Sequence, residues 1–326
     1  MAKRQGRRVN QKVSTQSTTP SNGALRKAYE TASGVALHGT LEDFLKSEYA
    51  EQYAGKVQLI FTSPPFPLNR KKRYGNLQGE AYVRWLARFA PRFRELLRPN
   101  GSIVIELGNA WERGLPVMST LALRALLRFL DKGKFYLCQQ FVCYNPARLP
   151  SPAQWVNVKR IRVKDAFTHL WWMSPSPRPK ASNRRVLKEY STAMLKLLRR
   201  QTYNAGKRPS QHDIGKTSFL KNNKGAIPSN VLTVANTRSG DRYQKYCKKH
   251  GFVPHPARMP EQVPAFFIRL LTQDGDLVVD PFAGSNTTGA VAEGLKRKWL
   301  AVETNTDYLK ASKGRFINNR KKPAKR

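Results

Sequence analysis

Residues 62–66 read Thr-Ser-Pro-Pro-Phe and directly follow an apolar, β-prone run at 57–61. Prolines cannot donate to a β ladder, so they end the strand and stiffen the backbone after it. The carbonyl groups of this rim have no sheet partner, Ser63 adds a hydroxyl and Phe66 adds a flat ring. Such a rim can accept hydrogen bonds from an amino group while the ring stacks on a planar substrate. Taken alone, the segment fits a proline-rich loop that closes a strand equally well.

A second stretch with chemical potential, residues 280–289, reads Asp-Pro-Phe-Ala-Gly-Ser-Asn-Thr-Thr-Gly between an apolar strand and a helical pattern. A turn of this kind brings backbone N–H groups and a helix N-terminus up to a ligand. A P-loop would need a lysine where Ala290 stands, and a dinucleotide site would need G-x-G-x-x-G, which is absent. The stretch therefore favours a nucleoside ligand with a non-phosphate tail, such as S-adenosylmethionine, over a tight turn with no ligand.

Two acids support this interpretation of the turn. Asp280 at the strand tip can face an ammonium or sulfonium group, whereas it would repel pyrophosphate. Glu303 ends the next predicted strand about twenty residues beyond the turn, where nucleotide-binding units place a ribose-binding carboxylate.

Apolar runs and helical periodicity predict the elements that position both stretches. The predicted strands are 35–38, 57–62, 102–107, 135–144, 166–173, 277–280 and 299–303, and the predicted helices are 40–45, 82–97, 116–130, 189–198, 264–272 and the segment after 289. Alternation of strands and helices predicts an α/β fold, with a doubly wound, mostly parallel sheet covered by helices on both faces.

The composition limits the function classes. The chain has 326 residues and a formal net charge of +38, which favours a polyanionic partner, above all nucleic acid. Three irregularly spaced cysteines fit neither a disulfide framework nor a zinc cluster, so we expect no metal and a reducing cytoplasm. We find neither an apolar run long enough to span a bilayer nor a secretory signal.

Changes in composition divide the chain into five predicted parts. They are a disordered basic arm at 1–24, an ordered part at 25–177, a loop-rich, basic region at 178–254, a second ordered part at 255–312 and a basic tail at 313–326. A basic loop after Phe66, which contains Arg70, Lys71, Lys72 and Arg73, is predicted to contact phosphates of a polyanion or to form a mobile lid, although such a charge run is usually only solvated.

With both motifs identified, the chain resembles the amino-methyltransferases of DNA. The Ser-Pro-Pro-Phe motif precedes the cofactor motif, an order typical of the permuted β group, and Thr-Ser-Pro-Pro-Phe resembles the cytosine-N4 subclass. Residues 255–260, 280–289 and 170–174 closely resemble PvuII-type members of restriction–modification systems. The resemblance extends over residues 30–310. The chain departs from it at Gly39-Thr40, where related enzymes often have Gly-Asp.

The resemblance implies a Rossmann-like, circularly permuted methyltransferase fold with a seven-stranded sheet. In it, 25–177 would be the catalytic half, 178–254 an inserted target-recognition region and 255–312 the cofactor-binding half, and the basic loop at 70–73 would contact DNA. The resemblance also implies S-adenosyl-L-methionine as methyl donor and a target base flipped out of the duplex. Ser63 and the Pro64 carbonyl would accept the N–H groups of the cytosine amine, Pro65 would stiffen the rim and Phe66 would stack on the base. The implied cofactor-binding residues are Phe267, Asp280, Phe282, Gly284, Ser285, Asn286, Thr287, Thr288 and Glu303.

Several alternatives remain open from the sequence. Adenine N6 offers the same kind of amine, the charge alone permits an RNA substrate, and a non-catalytic nucleic-acid-binding protein could have kept the fold. The expected partner is double-stranded DNA. We also expect a monomer or weak dimer, no stable complex with a cognate restriction endonuclease, and a cytoplasmic location in a bacterial, archaeal or phage-infected cell.

Overall fold

A nine-stranded sheet forms the centre of the protein. The computed structural model describes residues 25–66, 77–235 and 240–317. The strands are β1 (Arg26–Glu30), β2 (Gly34–His38), β3 (Val57–Thr62), β4 (Leu97–Gly108), β5 (Tyr136–Tyr144), β6 (Phe167–Ser174), β7 (Gly206–Lys207), β8 (Asp213–Ile214), β9 (Val231–Thr233), β10 (Leu277–Asp280) and β11 (Lys298–Glu303). β7 and β8 form a separate two-stranded sheet.

Ten α-helices accompany the sheet in the described residues. They are α1 (Leu41–Leu45), α2 (Glu48–Tyr53), α3 (Gly79–Ala87), α4 (Ala90–Leu96), α5 (Leu121–Gly133), α6 (Thr192–Arg200), α7 (Arg242–His250), α8 (Gln262–Leu271), α9 (Thr287–Gly294) and α10 (Thr306–Ser312). None of the helices in these residues is long and apolar enough to cross a membrane.

The strand order is β1-β2-β11-β10-β3-β4-β6-β5-β9. The five strands from β2 to β4 are parallel, and β6 runs antiparallel to both β4 and β5. The seven strands from β2 to β5 are the seven that the sequence predicts, which confirms the predicted fold class. β1 and β9 extend the two edges, and their short, largely exposed sequences carry little of the alternation that predicts a strand.

Successive residues of the central strands face opposite sides of the sheet, as strand geometry requires. Ile60 belongs to one core with the residues of α3, α4 and α5, whereas Leu59 and Phe61 belong to a second core with α8 and α9. Helices therefore cover both faces, and the ends of the parallel strands are left open at one edge. This is the edge at which open α/β sheets bind ligands.

The predicted helix 82–97 is two helices, α3 and α4. Pro91 lies in the first turn of α4, a position that needs no N–H donor, whereas the interior of one continuous helix would need it. The predicted helix 116–130 begins later, at Leu121, because Met118 pairs with Trp111 in an isolated β-bridge.

The structured chain continues past the predicted start of the tail at residue 313. Phe316 stacks on Trp299 with ring centroids 4.9 Å apart. α7 lies inside the predicted target-recognition region, but its buried Tyr243 and Cys247 pack with Ala311 of α10. The segment that contains α7 is therefore attached to the cofactor-binding half. Residues 1–24 and 318–326 lie outside the described part of the chain.

Candidate active site

The two motifs meet because their strands are neighbours. β3 and β10 pair in parallel, so Thr62 and Asp280 reach the same edge of the sheet. Thr62 Oγ1 donates a 2.8 Å hydrogen bond to Asp280 Oδ1 across 218 residues of sequence. The residue before Ser63 is thus tied directly to the first residue of the second motif.

Asp280 is buried and hydrogen-bonded on both carboxylate oxygens. Oδ2 accepts from Thr288 Oγ1 at 2.6 Å, and Oδ1 also accepts from the Phe282 N–H at 3.2 Å. The pKa of Asp280 is raised to about 6, chiefly by burial and also by the Glu303 carboxylate, while these three hydrogen bonds act in the opposite direction. Asp280 is therefore a carboxylate that would gain from a positively charged neighbour.

The turn between β10 and α9 has a backbone that few residue types adopt. Gly284 has φ of +52°, and a Cβ at this position would lie 3.1 Å from His255 Nε2. Asn286, with φ of +51°, caps α9 by accepting from the Gly289 N–H at 3.1 Å and donates through Nδ2 to the Tyr29 hydroxyl at 2.9 Å. Glycine and asparagine tolerate this left-handed region best, so the motif residues shape the turn themselves.

Ser285 and Thr287 complete the turn from inside the protein. Their hydroxyl oxygens lie 3.3 Å apart, and both residues are buried. The buried Arg315 guanidinium donates to the Ser285 carbonyl at 2.7 Å and to Ser285 Oγ at 3.0 Å. Arg315 thereby holds the turn at Ser285, although the sequence analysis assigns residues 313–326 to a tail.

Glu303 closes the turn from the next strand, β11. Its Oε2 accepts from the Gly284 N–H at 2.7 Å, and Oε1 accepts from the Asn305 N–H at 2.8 Å. Burial raises the pKa of Glu303, although these backbone N–H groups act in the opposite direction. The acid predicted from its spacing thus lies directly against the turn.

The chemistry of these two acids fits a cationic ligand. Within the described residues, the ion pairs of the protein involve neither Asp280 nor Glu303, and the Glu303 carboxylate raises the pKa of Asp280. A buried acid and a half-buried acid without a basic partner suit a sulfonium and an ammonium group, and they would repel a phosphate. The residues present therefore fit S-adenosyl-L-methionine.

The rim after β3 continues directly from Thr62, which is bonded to Asp280. Pro64 is buried, while Ser63, Pro65 and Phe66 are half-buried. The Phe66 ring rests against the end of β4, where a Cβ at Gly108 would come within 2.5 Å of two ring carbons. A glycine at position 108 leaves the space that this edge of the ring occupies.

Glu106 on β4 is a site residue that the sequence analysis missed. The register pairs Thr62 with Ile105, which places Glu106 opposite Ser63. Its carboxyl is hydrogen-bonded to the Ser63 hydroxyl and accepts from Thr168 Oγ1 at 2.8 Å. Burial raises the pKa of Glu106, which both hydroxyls counteract. The sequence does carry a signal, because Glu106 is the one charged residue in the apolar stretch 102–107.

A buried polar chain continues from this point along the strand ends. His169 Nε2 donates to Asn109 Oδ1 at 2.9 Å, and Asn109 Nδ2 donates to Asp165 Oδ1 at 2.8 Å. Burial lowers the pKa of His169, so its ring is neutral and its Nδ1 can accept from Gln140 Nε2 at 3.3 Å. These bonds fix the connection before β6 to the end of β4.

Two predicted aromatic residues differ in their surroundings. Phe267 is fully buried in the second core, which also contains Ala283 of the turn, and its ring centroid lies 5.7 Å from that of Phe61 and 5.0 Å from that of Phe141. Phe282 lies at the turn, and its ring packs 5.6 Å from Trp85. The predicted phosphate contacts at 70–73 fall outside the described residues.

Comparisons with known proteins agree with this geometry. The sequence profile of the DNA methylase family matches residues 57–314. The type II methyltransferase M.PvuII from Proteus hauseri is 44% identical over 300 residues, which cover 91% of this chain and 88% of that protein. Among solved structures, a PvuII DNA methyltransferase described as cytosine-N4-specific has a TM-score of 0.71 at 38% identity and covers 90% of each chain.

A more distant structure, the M1.HpyAVI–SAM complex, has a TM-score of 0.50 at 18% identity and covers 87% of this chain and 98% of its own. At that identity it supports the fold alone. The family profile spans both motifs and the sheet between them. The resemblance predicted from the paired motifs is thereby confirmed, and the chain belongs to the DNA methylase family.

Proposed function

We propose that this protein transfers the methyl group of S-adenosyl-L-methionine to the exocyclic N4 amine of cytosine in duplex DNA, as the modification enzyme of a restriction–modification system. The observation that carries the proposal is the position of Ser63. It is hydrogen-bonded to Glu106, a half-buried glutamate, and its neighbour Thr62 is bonded to an acid of the cofactor turn. M.PvuII, 44% identical, supports the same reaction class.

Asp280 and Glu303 would hold the cofactor, together with the backbone of the turn at Gly284. When bound there, S-adenosyl-L-methionine supplies an electrophilic methyl group on a sulfonium. The chain's own contribution is to surround that positive charge with two carboxylates that lack a basic partner. Phe282 beside them adds an apolar surface to the turn.

Ser63 and the Pro64 carbonyl would prepare the attacking amine. The N4 lone pair of cytosine is delocalised into the ring, so the amine is a weak nucleophile until its N–H groups are held out of the ring plane. Glu106 accepts a hydrogen bond from the Ser63 hydroxyl. The lone pairs of Ser63 Oγ are therefore free to accept a hydrogen bond from one N–H of the amine. Oriented acceptors of this kind act without reorganisation during the reaction.

Glu106 also offers a route for the proton that the amine must lose. When the new C–N bond forms and the sulfonium C–S bond breaks, the amine nitrogen carries one excess proton. Ser63 Oγ can take this proton while it passes its own to Glu106 Oε. Because burial raises the pKa of Glu106, the carboxylate is a stronger base than an exposed glutamate.

The target cytosine must leave the base stack to reach this edge. Phe66 would hold it, because it follows Ser63 by three residues and its ring packs against the end of β4 at Gly108. We further propose that residues 178–254 take part in recognition of the DNA sequence and that 70–73 contact phosphates. A monomer or weak dimer in the cytoplasm, with no stable complex with an endonuclease, fits this role.

Nucleoside analysis tests the proposed reaction. The purified protein is incubated with S-adenosyl-L-methionine and unmethylated plasmid DNA, and the digested DNA is examined by mass spectrometry. We expect N4-methylcytosine, whereas N6-methyladenine would assign the same site to adenine, and unmodified DNA together with methylated structured RNA would overturn the choice of substrate.

Ser63→Ala provides the matched control for this reaction. Loss of one oriented group in such a site typically lowers turnover by about 10²–10³-fold. The affinity for S-adenosyl-L-methionine, measured by calorimetric titration, should stay near that of the wild type because Ser63 does not belong to the turn. Unchanged methyl transfer by this variant would exclude Ser63 from the reaction.

A further inference from the structure

The connection between β5 and β6 lies beside the candidate active site. We call residues 145–166 the β5–β6 arm. Its base is closed by a 2.8 Å bond from the Asn145 N–H to the Ala166 carbonyl. Asp165 at its end accepts from Asn109, and Thr168, three residues further on, donates to Glu106. The arm therefore starts and ends at the edge of the sheet that carries Ser63.

Internal hydrogen bonds give the arm a defined shape. The Asp165 N–H donates to the Ser151 carbonyl at 2.9 Å, and the Lys164 ammonium donates to the Pro146 carbonyl at 3.1 Å, so its two halves are joined. At its far end, the Ile161 N–H donates to the Trp155 carbonyl at 2.9 Å. An arm held in this way can present side chains without a large ordering cost on binding.

The arm nevertheless exposes large apolar side chains. Val163 is 86% exposed and Leu149 is 81% exposed, although both are close to the joined base of the arm. Val158 and Ile161 are also more than half exposed. Scattered apolar residues are normal on a protein surface, but several on one structured arm beside a catalytic edge indicate a contact surface.

Basic residues are interleaved with these apolar ones. Residues 158–164 read Val-Lys-Arg-Ile-Arg-Val-Lys, with four basic residues and no acid. Lys159 and Arg160 are exposed and point to an anionic partner. A second copy of this chain is a poor fit, since two such arms would repel each other. The combination of exposed apolar side chains and flanking cations matches duplex DNA, whose phosphates surround stacked bases.

We propose that the β5–β6 arm enters the duplex, where Leu149 and Val163 occupy the space that the flipped cytosine leaves and Lys159 and Arg160 contact the phosphates. This inference rests on the proposed function. Val163 is near enough to the candidate active site for this role. Thr168, which is bonded to Glu106, follows it by five residues, and a chain of that length spans at most about 17 Å. Apolar wedges between base pairs are a known means of stabilising distorted DNA.

The double variant Leu149→Ala/Val163→Ala tests the wedge. Methyl transfer is measured in single turnovers on a duplex that contains a site first mapped with the wild-type protein. One duplex is fully paired, and in the other the target cytosine faces an abasic position, which lowers the cost of flipping. We expect about a tenfold or larger decrease on the paired duplex and a near wild-type rate on the abasic one.

Leu127→Ala is the matched control, because Leu127 on α5 is 60% exposed and lies outside the arm. It should leave both rates unchanged. An unchanged rate of the double variant on the paired duplex, or an equal decrease on both duplexes, would overturn the wedge. So would a change in the sedimentation of the double variant with normal methyl transfer, because the apolar surface would then belong to a contact between copies of the chain.

Lys159→Gln/Arg160→Gln tests the phosphate contacts independently. We expect weaker binding to all duplexes and a plot of log K against log salt that is shallower by about two units, close to 0.9 for each lost contact. An unchanged slope would remove these residues from the interface. A wild-type protein that methylates adenine would leave the arm proposal intact, whereas one that methylates no duplex DNA would refute the proposed function itself.

Discussion

Replacing Asp280 by asparagine should stabilise the ligand-free protein while it removes cofactor binding. The Asp280 carboxylate is buried, has no basic partner among the described residues and is opposed by Glu303. Asparagine has nearly the same shape and can still accept from Thr62 through its amide oxygen. The substitution therefore removes the buried charge and leaves the packing between β3, β10 and α9 largely in place.

The magnitude follows from the pKa of about 6, against an ordinary value of 3.8. Because the folded protein binds this proton more tightly than the unfolded chain does, stability falls as the pH rises from about 4 to about 6 and then levels off. At about 1.4 kcal/mol per tenfold change in proton affinity, ionisation of Asp280 costs the folded state about 3 kcal/mol. Asparagine cannot accept the hydrogen bond that Thr288 donates to the second carboxylate oxygen, and the loss of this bond costs about 1 kcal/mol. The free energy of unfolding of Asp280→Asn should therefore exceed that of the wild type by about 2 kcal/mol at pH 7.

Urea unfolding of the ligand-free protein between pH 4 and pH 7 measures this difference. The advantage of Asp280→Asn over the wild type should shrink by about 2.4 kcal/mol as the pH falls from 7 to 4, because the wild-type carboxyl then takes up its proton. Calorimetric titration at pH 7 should show at least about a tenfold loss of affinity for S-adenosyl-L-methionine, since one of the two negative charges that face its cation is gone.

Asp276→Asn is a control with the opposite sign. Burial raises the pKa of Asp276, but the bonds from Lys180 (2.7 Å) and the Gln273 N–H (2.8 Å), together with Arg98 (2.9 Å), outweigh burial and hold it below its ordinary value. This carboxylate stabilises the fold above the unfolded pKa, and its contribution is lost as the pH falls through the folded pKa. Asp276→Asn should therefore be less stable than the wild type at pH 7, and the deficit should narrow in acid.

Two results would refute the reasoning on Asp280. If Asp280→Asn were less stable than the wild type at pH 7, the three hydrogen bonds to the carboxylate would outweigh the cost of burying its charge. If the difference between the two proteins did not change between pH 4 and pH 7, Asp280 would not titrate in this range.

Three further substitutions test other parts of the site. Glu106→Gln can no longer accept freely from both Ser63 and Thr168, so methyl transfer should fall by about 10²-fold; single-turnover rates check this, and a normal rate would remove Glu106 from the reaction. Glu303→Ala leaves the Gly284 N–H without its acceptor, so calorimetric affinity for S-adenosyl-L-methionine should fall by about tenfold or more; an unchanged affinity would contradict the role of Glu303. Arg315→Met removes two bonds to Ser285 and should lower the free energy of urea unfolding by about 2–4 kcal/mol; a loss below about 0.5 kcal/mol, the level of an ordinary surface change, would mean that this segment is a tail after all.

The sequence was sufficient to predict both chemical stretches because their signals are local. A strand that ends in two prolines and a strand that ends in an acid before a glycine-containing turn can each be recognised within ten residues. The seven central strands were predictable for the same reason, since their buried apolar runs are long. The two edge strands, β1 and β9, are short and half-exposed, so their sequences resemble loops.

Glu106 shows what local patterns cannot supply. Its role depends on the register between β3 and β4, which places it opposite Ser63, and on Thr168 from a strand 62 residues away. α7 was missed for a related reason, because it buries Tyr243 and Cys247 alone within a strongly basic stretch. Two apolar positions give too little periodicity to predict a helix without the α10 surface on which it packs.

Phe267 marks the limit of a role assigned by resemblance. Its ring centroid lies 5.7 Å from that of Phe61 and 5.0 Å from that of Phe141, in the core that also contains Ala283 of the turn. These contacts are what an apolar side chain on α8 needs for packing, so they do not by themselves assign a cofactor contact. The role of Phe267 at the cofactor stays a prediction.

The bond between Thr62 and Asp280 explains how motifs 218 residues apart can work as one site. This hydrogen bond requires only that β3 and β10 are neighbours in the sheet. It does not require that the two motifs are close in sequence, so the order of the two halves along the chain is free to vary. The same carboxylate that orients the turn is held by the residue before Ser63. A cation bound beside Asp280 would lower the cost of its charge and, through Thr62, act on the rim that holds the amine. We therefore expect the buried charge that destabilises the empty protein to couple the methyl donor to its acceptor.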